Sequence, residues 1–306
     1  MVSVSQRASS GSVNNPTTLA EISGIAIDVG GTKIAVARIA NGIVQERRKI
    51  STVADDTPQT LIDKLEAQVR QLNLQQYDRI AAAVSGRVDH AGNWHAVNQS
   101  TLGTITQVPL AQLLSERFSR PVPVINDAVA GAIAEHQFGA AQNTENMAYL
   151  TISTGVGAGL ILNGKPLFSS RGLIGHVGFT SSAYSTRLCG SGRVGTVESI
   201  ASGKAIVSLA EEAGYAADTI AVFEAFRRGE PWASEIVKQS AAAIAALSAD
   251  LAAILDLECI VLGGSVGLAD GYCNEVNNAQ RDLPPLFQVA VVASALDDSV
   301  LIGALA

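Results

Sequence analysis

Apolar residues fall in short runs broken by Gly-rich polar turns in the first half of the chain, and in longer Ala-rich stretches in the second. The runs Gly24-Ile25-Ala26-Ile27-Asp28-Val29 and Ile34-Ala35-Val36-Ala37-Arg38-Ile39 predict two strands joined by the turn Gly30-Gly31-Thr32-Lys33. Asn41-Gly42 is a strong hairpin signal and predicts a third strand over 43–50. Thr57-Pro58 supplies a hydroxyl cap and a first-turn proline. Leu61, Ile62, Leu65, Val69 and Leu72 then share one face, which predicts a helix to about residue 74. Strands are predicted at 79–84 and 122–125, with a helix over 109–118 between them and an Ala-rich helix over 128–137. Residues 1–22 are polar, lack periodicity and read as a flexible leader.

The second half repeats the opening arrangement. A strand over 147–153, the Gly-rich turn Thr154-Gly155-Val156-Gly157-Ala158-Gly159 and a strand over 160–162 suggest a duplicated α/β fold with phosphates bound between two lobes. Helices are predicted over 196–201, 204–213, 218–227 and 231–257, and strands over 259–262 and 288–293. A terminal helix over 300–305 is expected to pack back on the first lobe. Gly263-Gly264-Ser265 is a third Gly-rich exit, suited to the approach of a flat adenine or ribose.

Composition narrows the function classes. A chain of 306 residues suits two lobes, and 47% hydrophobic against 16% charged residues can bury a sizeable core. The net charge of −7 argues against a nucleic-acid or acidic-membrane partner. Cys189, Cys259 and Cys273 are too few and too far apart for a disulfide framework and fit a reducing cytoplasm. No early apolar run has a basic flank, so no signal peptide is expected. The apolar segment 236–257 contains Lys238, Asp250 and Asp256 and reads as a buried helix rather than a membrane span.

The first turn carries the clearest chemistry. Two glycines let amide groups approach an anion, Thr32 and Lys33 add polar contacts, and Asp28 at a strand end suits a cation beside a phosphate. The spacing is not that of a Walker A loop. Ser85-Gly86-Arg87 closes a short strand as a βα-type exit. Asp127 stands between a strand end and a helix start, where a carboxylate can cap the helix, face a cleft, or both. Gly190-Ser191-Gly192-Arg193-Val194-Gly195 fits G-x-G-x-x-G literally, but the residues before it are polar and irregular, so it is not a dinucleotide loop.

Taken together, the chain resembles the ROK family of sugar kinases, within the actin-like ATPase superfamily, from about residue 22 to the C-terminus. The resemblance is carried by Asp28-Val29-Gly30-Gly31-Thr32-Lys33, Ile125-Asn126-Asp127-Ala128, Ser153-Thr154-Gly155-Val156-Gly157 and the stretch from Cys189-Gly190 to Glu198. Gly175-His176-Val177-Gly178 has His where glucose-using relatives carry Glu. With Ala201-Ser202-Gly203 and Gly263-Gly264-Ser265-Val266-Gly267-Leu268, it is similar to the branch that phosphorylates N-acetyl-D-mannosamine at the 6-hydroxyl in sialic acid catabolism.

The resemblance implies a two-lobed actin-like (ribonuclease H-like) α/β fold with a cleft. The first lobe would hold 23–128 plus 292–306, and the larger second lobe 129–291. It implies Asp127 as general base and Asp28 as the holder of Mg²⁺, directly or through water. ATP and its phosphates would lie at Gly30, Gly31, Thr32, Lys33, Thr154, Gly155, Gly263 and Gly264. Ser85, Gly86, Asn98, Asn126, Asp127, His176 and Glu198 would surround the sugar. Competing readings are a satisfied core histidine for His176, a solvated helix-start carboxylate for Glu198 and a turn former for Asn98. The implied partners are a small sugar and ATP, with no nucleic acid or membrane, in a homodimer.

Many ROK proteins bind structural zinc through one His and three Cys. Here those positions are Phe179, Cys189, Ser191 and Thr196, so no zinc is expected and the loop should be held by packing, with Phe179 as an apolar substitute. The alternatives are a ROK glucokinase or fructokinase, against which His176 argues, and a sugar-sensing regulator. The regulator would need a DNA-binding module longer than the ~22 residues ahead of the first strand. A catalytically dead sugar-binding protein would not need both Asp28 and Asp127.

Overall fold

The computed structural model describes residues 18–52, 56–72, 79–97 and 103–306. Alternation and turn chemistry produce the first three strands: β1 (Gly24–Val29), β2 (Lys33–Ala40) and β3 (Ile43–Ser51). Asn41 and Gly42 both take left-handed φ, 53° and 72°, which gives the two-residue turn whose twist matches antiparallel strands. Thr57 caps α1 (Pro58–Arg70) by accepting from the Thr60 amide at 3.2 Å. β4 (Ile80–Val84) is buried throughout. It is followed by a small hairpin of β5 (Arg87–Val88) and β6 (Trp94–His95), then by α2 (Leu110–Phe118) and β7 (Val124–Asn126). The first sheet has the order β3-β2-β1-β4-β7, with β1, β4 and β7 parallel.

The second sheet repeats this plan as β10-β9-β8-β11-β12. Its strands are β8 (Met147–Ile152), β9 (Val156–Leu162), β10 (Lys165–Pro166), β11 (Cys259–Gly263) and β12 (Ala290–Ala293). Between β10 and β11 run α4 (Glu198–Ala201), α5 (Gly203–Glu212), α6 (Thr219–Arg227) and α7 (Pro231–Leu255). α7 is part of the second core, with Ala233, Ile236, Val237, Ala241, Ile244 and Leu247 buried. α8 (Gly264–Gly267) and α9 (Tyr272–Gln280) follow β11.

Three sequence expectations change here. β9 begins at Val156, so the predicted Gly-rich turn of 154–159 shrinks to Ser153–Gly155, and Gly157 and Gly159 lie inside the strand. The reason is packing: a side chain at Gly159 would collide with the carbonyl of Ala128, which crosses it closely. α9 went unpredicted because its buried positions, Tyr272, Val276 and Gln280, include one aliphatic residue. β12 stays in the second sheet through Ala293, so the chain returns toward the first lobe after that residue rather than at 292.

Two helices connect the lobes. α3 (Asp127–Phe138) follows β7, and α10 (Ser299–Leu305) follows β12. Ala130 and Ala134 of α3 pack with Ala26, Ala81 and Ala83 of the first sheet and with Leu301, Ile302 and Leu305 of α10. Ala128 and Ala132, on the same helix, pack with Tyr149, Ile161 and Val261 of the second sheet. A helix covered by a sheet on either side needs small residues all round, which explains its alanines. A side chain at Gly303 would collide with the Ala130 carbonyl, so the two helices cross in close contact.

Glu135 of α3 is fully buried beside this crossing. It accepts hydrogen bonds from the hydroxyls of Ser294 and Ser299 and from the amides of Ala140 (2.8 Å), Ala295 (3.1 Å) and Leu296 (3.2 Å). The carboxylate ties α3 to the segment that links β12 to α10.

Candidate active site

The parallel strands of the first sheet end side by side, and their exits hold most of the predicted residues. Asp28 is the next-to-last residue of β1 and half-buried. The β1–β2 turn is closed by Gly30 N–H donating to the Lys33 carbonyl at 2.9 Å and braced by Thr52, whose hydroxyl donates to Gly30 O at 3.1 Å. Neither Gly30 nor Gly31 is among the left-handed residues; a side chain at Gly30 would press on the Lys33 carbonyl at 3.0 Å, so room rather than handedness favours glycine there. Thr32 and Lys33 are exposed. Next door, the Ser85 amide donates to Val29 O at 2.8 Å, placing the Ser85-Gly86 exit beside the β1 end.

The third exit separates the roles left open for Asp127. Asn126 is the cap of α3: its Oδ1 accepts from the amides of Ala128 (3.0 Å) and Val129 (3.1 Å). Its Nδ2 donates to Gly86 O at 2.9 Å and to Asp127 Oδ1 at 2.9 Å. Asp127 is therefore the first helical residue, and Asn126 performs the capping. Burial pushes the Asp127 carboxyl up to about 6, against the stabilising hydrogen bonds from Ala128 N–H and Asn126. Burial pushes Asp28 up to about 7, the nearby Asp127 charge raises it further, and Arg47 opposes the rise. Two carboxylates that repel in a partly desolvated place form a hard oxygen donor set suited to a small divalent cation.

The second sheet supplies a facing set. Its first turn, Ser153–Gly155, is held by Gly203 N–H donating to Ser153 O at 2.7 Å and by a 3.1 Å contact between the Ser153 and Ser265 hydroxyls. The latter joins it to the Gly263-Gly264 exit of β11. Gly264 has φ +80°, and a side chain there would press on the Ile152 carbonyl at 2.5 Å. Glu198 opens α4 and accepts from the Val156 amide at 3.1 Å. It is 9% exposed, which excludes the solvated reading, and burial raises its pKa while the Val156 N–H and Lys204 oppose. A cavity of about 220 Å³ opens here, lined among others by Thr154, Cys189, Glu198, Ser202 and Lys204.

His176 is half-buried. Its Nδ1 lies 3.2 Å from Leu173 O, and its ring stacks on Phe179 with centroids 5.9 Å apart. Burial lowers its pKa and the Arg87 charge lowers it further, so the imidazole is neutral near pH 7. Arg87 belongs to the Ser85-Gly86-Arg87 exit of the other lobe. Asn98 lies outside the described residues. Arg87, named in the sequence as part of an exit motif, emerges as a further polar group of this corner.

The loop expected to rest on apolar packing carries a set of hydrogen bonds beside the buried Val197 and Ile200. Ser199 Oγ donates to Thr196 O at 2.7 Å, accepts from Thr196 N–H at 3.1 Å and lies 2.8 Å from Ser185 Oγ, while Cys189 Sγ is 3.0 Å from Ser191 Oγ. Phe179 stacks on His176. The G-x-G-x-x-G stretch is part of this irregular loop, with no strand entering it.

The profile of the ROK family matches residues 24–306. An N-acetylmannosamine kinase of Haemophilus influenzae is 37% identical over 284 residues, spanning 92% of this chain and 93% of that protein. An N-acetylmannosamine kinase of Escherichia fergusonii is 39% identical over 282 residues, spanning 92% and 96%. Among solved structures, a ROK family glucokinase from Streptomyces griseus in complex with glucose and AMPPNP superimposes with a TM-score of 0.80 at 26% identity, covering 92% of this chain and 98% of that one. Two sheets of one strand order joined by crossed helices, with a family match over nearly all of the chain, lead to one conclusion: this protein belongs to the ROK family.

Proposed function

We propose that this protein is an ATP-dependent kinase that phosphorylates N-acetyl-D-mannosamine at its 6-hydroxyl. The observation that carries the reading is the Asn126-Asp127 junction. Asn126 satisfies the helix start, so Asp127 presents a partly desolvated carboxylate beside Asp28 and the Ser85-Gly86 exit. The names of the relatives at 37% and 39% identity support the choice of sugar, as does His176 in place of the Glu of glucose-using relatives.

In this reading Asp127 accepts the proton of the 6-hydroxyl as its oxygen attacks the γ-phosphorus of ATP. The bond from that phosphorus to the bridging oxygen of ADP breaks, and the proton leaves later to solvent. A carboxylate at about 6 is ionised at neutral pH yet more basic than an ordinary aspartate. Transfer of this kind depends mainly on positioning, with a late proton acceptor. The turns at Gly30-Gly31-Thr32-Lys33 and Thr154-Gly155 offer amides and polar groups to the phosphates, and Gly263-Gly264 flanks the nucleoside. Ser85, Gly86, Asn126, His176 and Glu198 surround the sugar. Asp28 would hold Mg²⁺, directly or through water; bound there with the phosphates, the ion neutralises charge that builds during transfer. We place the working unit as a homodimer, checked by sedimentation.

The test is ADP release with N-acetylmannosamine and with glucose as competing substrates. The reading expects N-acetylmannosamine to be turned over with the higher kcat/KM. Faster turnover of glucose would replace it with a glucokinase.

A further inference from the structure

A short hairpin of the first lobe reaches a loop of the second, at the corner where the sugar is placed. The hairpin is rigid. Trp94 of β6 is fully buried, and its Nε1 donates to Ser85 O at 2.8 Å. Its amide donates to Val108 O at 2.7 Å. Asp89 fixes the tip by accepting from the amides of Ala91 (3.0 Å) and Asn93 (2.9 Å), from Asn93 Nδ2 (3.0 Å) and from the His95 ring (3.1 Å). The bonds from Asn93 and then His95 hold its carboxyl far below the usual range, so the tip stays locked at neutral pH.

Three contacts join this hairpin to residues 170–172. His90 N–H donates to Ser170 O at 3.1 Å, and Arg87 Nη1 donates to Arg171 O at 2.7 Å. Gly172, at φ +63°, lies flat on the Val88 peptide, where any side chain would collide with the Val88 carbonyl. Three residues on, the loop is fastened to its own lobe: Ala158 N–H donates to Gly175 O at 2.6 Å, and a side chain at Gly175 would collide with Ala158 O. His176 follows at once. Its loop is thus held at one end by the first lobe and at the other by the second.

We propose that this hairpin-to-loop contact is a selectivity device: Gly172 against Val88, with the His90 amide on Ser170, sets where His176 stands relative to the Ser85-Gly86 corner. Gly172 and His90 are positioning residues that act through His176, and the device favours a hexose carrying an acetamido group over one carrying a hydroxyl at the same carbon. This rests on the assignment of His176 to the sugar. Displacements well under an ångström matter at such a site, because a misplacement of about 1 Å costs on the order of 100-fold in rate.

Two substitutions test it. Gly172→Ala must open the contact. Gly192→Ala is its control, since Gly192 has φ +83° with nothing within 4 Å of the added carbon and so reports the cost of a left-handed alanine alone. His90→Pro deletes one amide donor at the second position of a turn closed by Gly92 N–H on Asp89 O at 2.9 Å, a position that favours proline. Gly172→Ala is expected to raise KM for N-acetylmannosamine about tenfold and to narrow its preference over glucose, and His90→Pro to do so about threefold. KM for ATP should match wild type in both, and Gly192→Ala should match throughout. Unchanged sugar KM and preference in both variants, or an equal rise in KM for ATP, overturns the proposal; should Gly172→Ala not fold, His90→Pro decides. If the wild type prefers glucose, the substrate assignment fails by that result alone, and the contact is still judged by the same KM shift on glucose.

Discussion

The two sheets share one strand order but differ at corresponding places. Asp28 stands two residues before the first turn; at the same place in β8 stands Thr151. The first turn ends in exposed Thr32 and Lys33, whereas the second runs into buried Val156 and is braced by Gly203, Ser265 and Glu198. The fifth strands differ likewise. β7 exits into Asn126-Asp127, with a carboxylate toward the candidate site. β12 exits into 294–299, which wraps the buried carboxylate of Glu135. The duplicated scaffold therefore supplies matched turns, of which the first carries an aspartate and a lysine and the second is braced by its neighbours. A carboxylate serves chemistry where it is left partly solvated, and structure where its hydrogen bonds are satisfied by protein.

The sharpest way to break this comparison is to neutralise the chemical carboxylate. Asp127→Asn should lower kcat by about 10²- to 10⁴-fold while leaving sugar binding within a few-fold, as titration calorimetry without ATP would show. The ionised carboxylate is the working form, and burial sets it at about 6. Wild-type kcat/KM should therefore be level above that pH and fall tenfold per unit below it. A profile flat from pH 5 to 8, or retained turnover in Asp127→Asn, removes Asp127 from the base role.

Next in size is the structural carboxylate. Glu135→Ala strands the amides of Ala140, Ala295 and Leu296 in a dry place, while the two hydroxyls keep the Leu296 carbonyl, and it should cost about 2–4 kcal/mol in urea unfolding. Folded Glu135→Ala should keep most of its kcat, because Glu135 stands two helical turns from Asp127. A loss below about 1 kcal/mol, or a kcat as low as that of Asp127→Asn, would erase the distinction between the two exits.

That distinction was half legible in the sequence. The Gly-Gly turn, the Asn-Gly hairpin and the Asn126-Asp127 junction are local, and each carries its own signal in adjacent residues. Glu135 gives no such signal, because Ser294 and Ser299 lie about 160 positions away and only the crossing of α3 with α10 brings them together. The β5–β6 hairpin escaped notice because two-residue strands have no measurable alternation. Val156-Gly157-Ala158-Gly159 reads as a turn by its glycines, but Gly159 answers to the Ala128 carbonyl above it rather than to bending. The loop with Cys189 lacks three of the zinc positions, and the short-range pairing of its serine and threonine hydroxyls carries no periodic signal in the sequence.

A smaller effect should come from Asp28. In the unfolded chain it titrates near 3.8, while burial and the Asp127 charge push the folded value to about 7. The folded state holds the proton more tightly. The contribution to stability is thus full below pH 3.8 and is lost as pH rises through 7. In metal-free buffer, Asp28→Asn should melt with wild type near pH 4 and several degrees above it at pH 8. Equal melting temperatures across that range would mean that the first half carries no strain from its charge. The same variant should lose ATP turnover and keep sugar binding, separating the cost of the carboxylate from its use.

The mildest test concerns Lys33, the cation that the second turn lacks. It is exposed, so its attraction for phosphate acts through water and is screened within about 8 Å at physiological ionic strength. Lys33→Met should raise KM for ATP about threefold at low salt, and the difference should shrink as salt is added. Sugar KM should not move, because the sugar is uncharged. A salt-independent loss of tenfold or more would mean that Lys33 becomes desolvated against the phosphates when ATP binds. The first turn would then close on its ligand rather than present a preformed surface, and the contrast with the braced second turn would become one between a moving element and a fixed one.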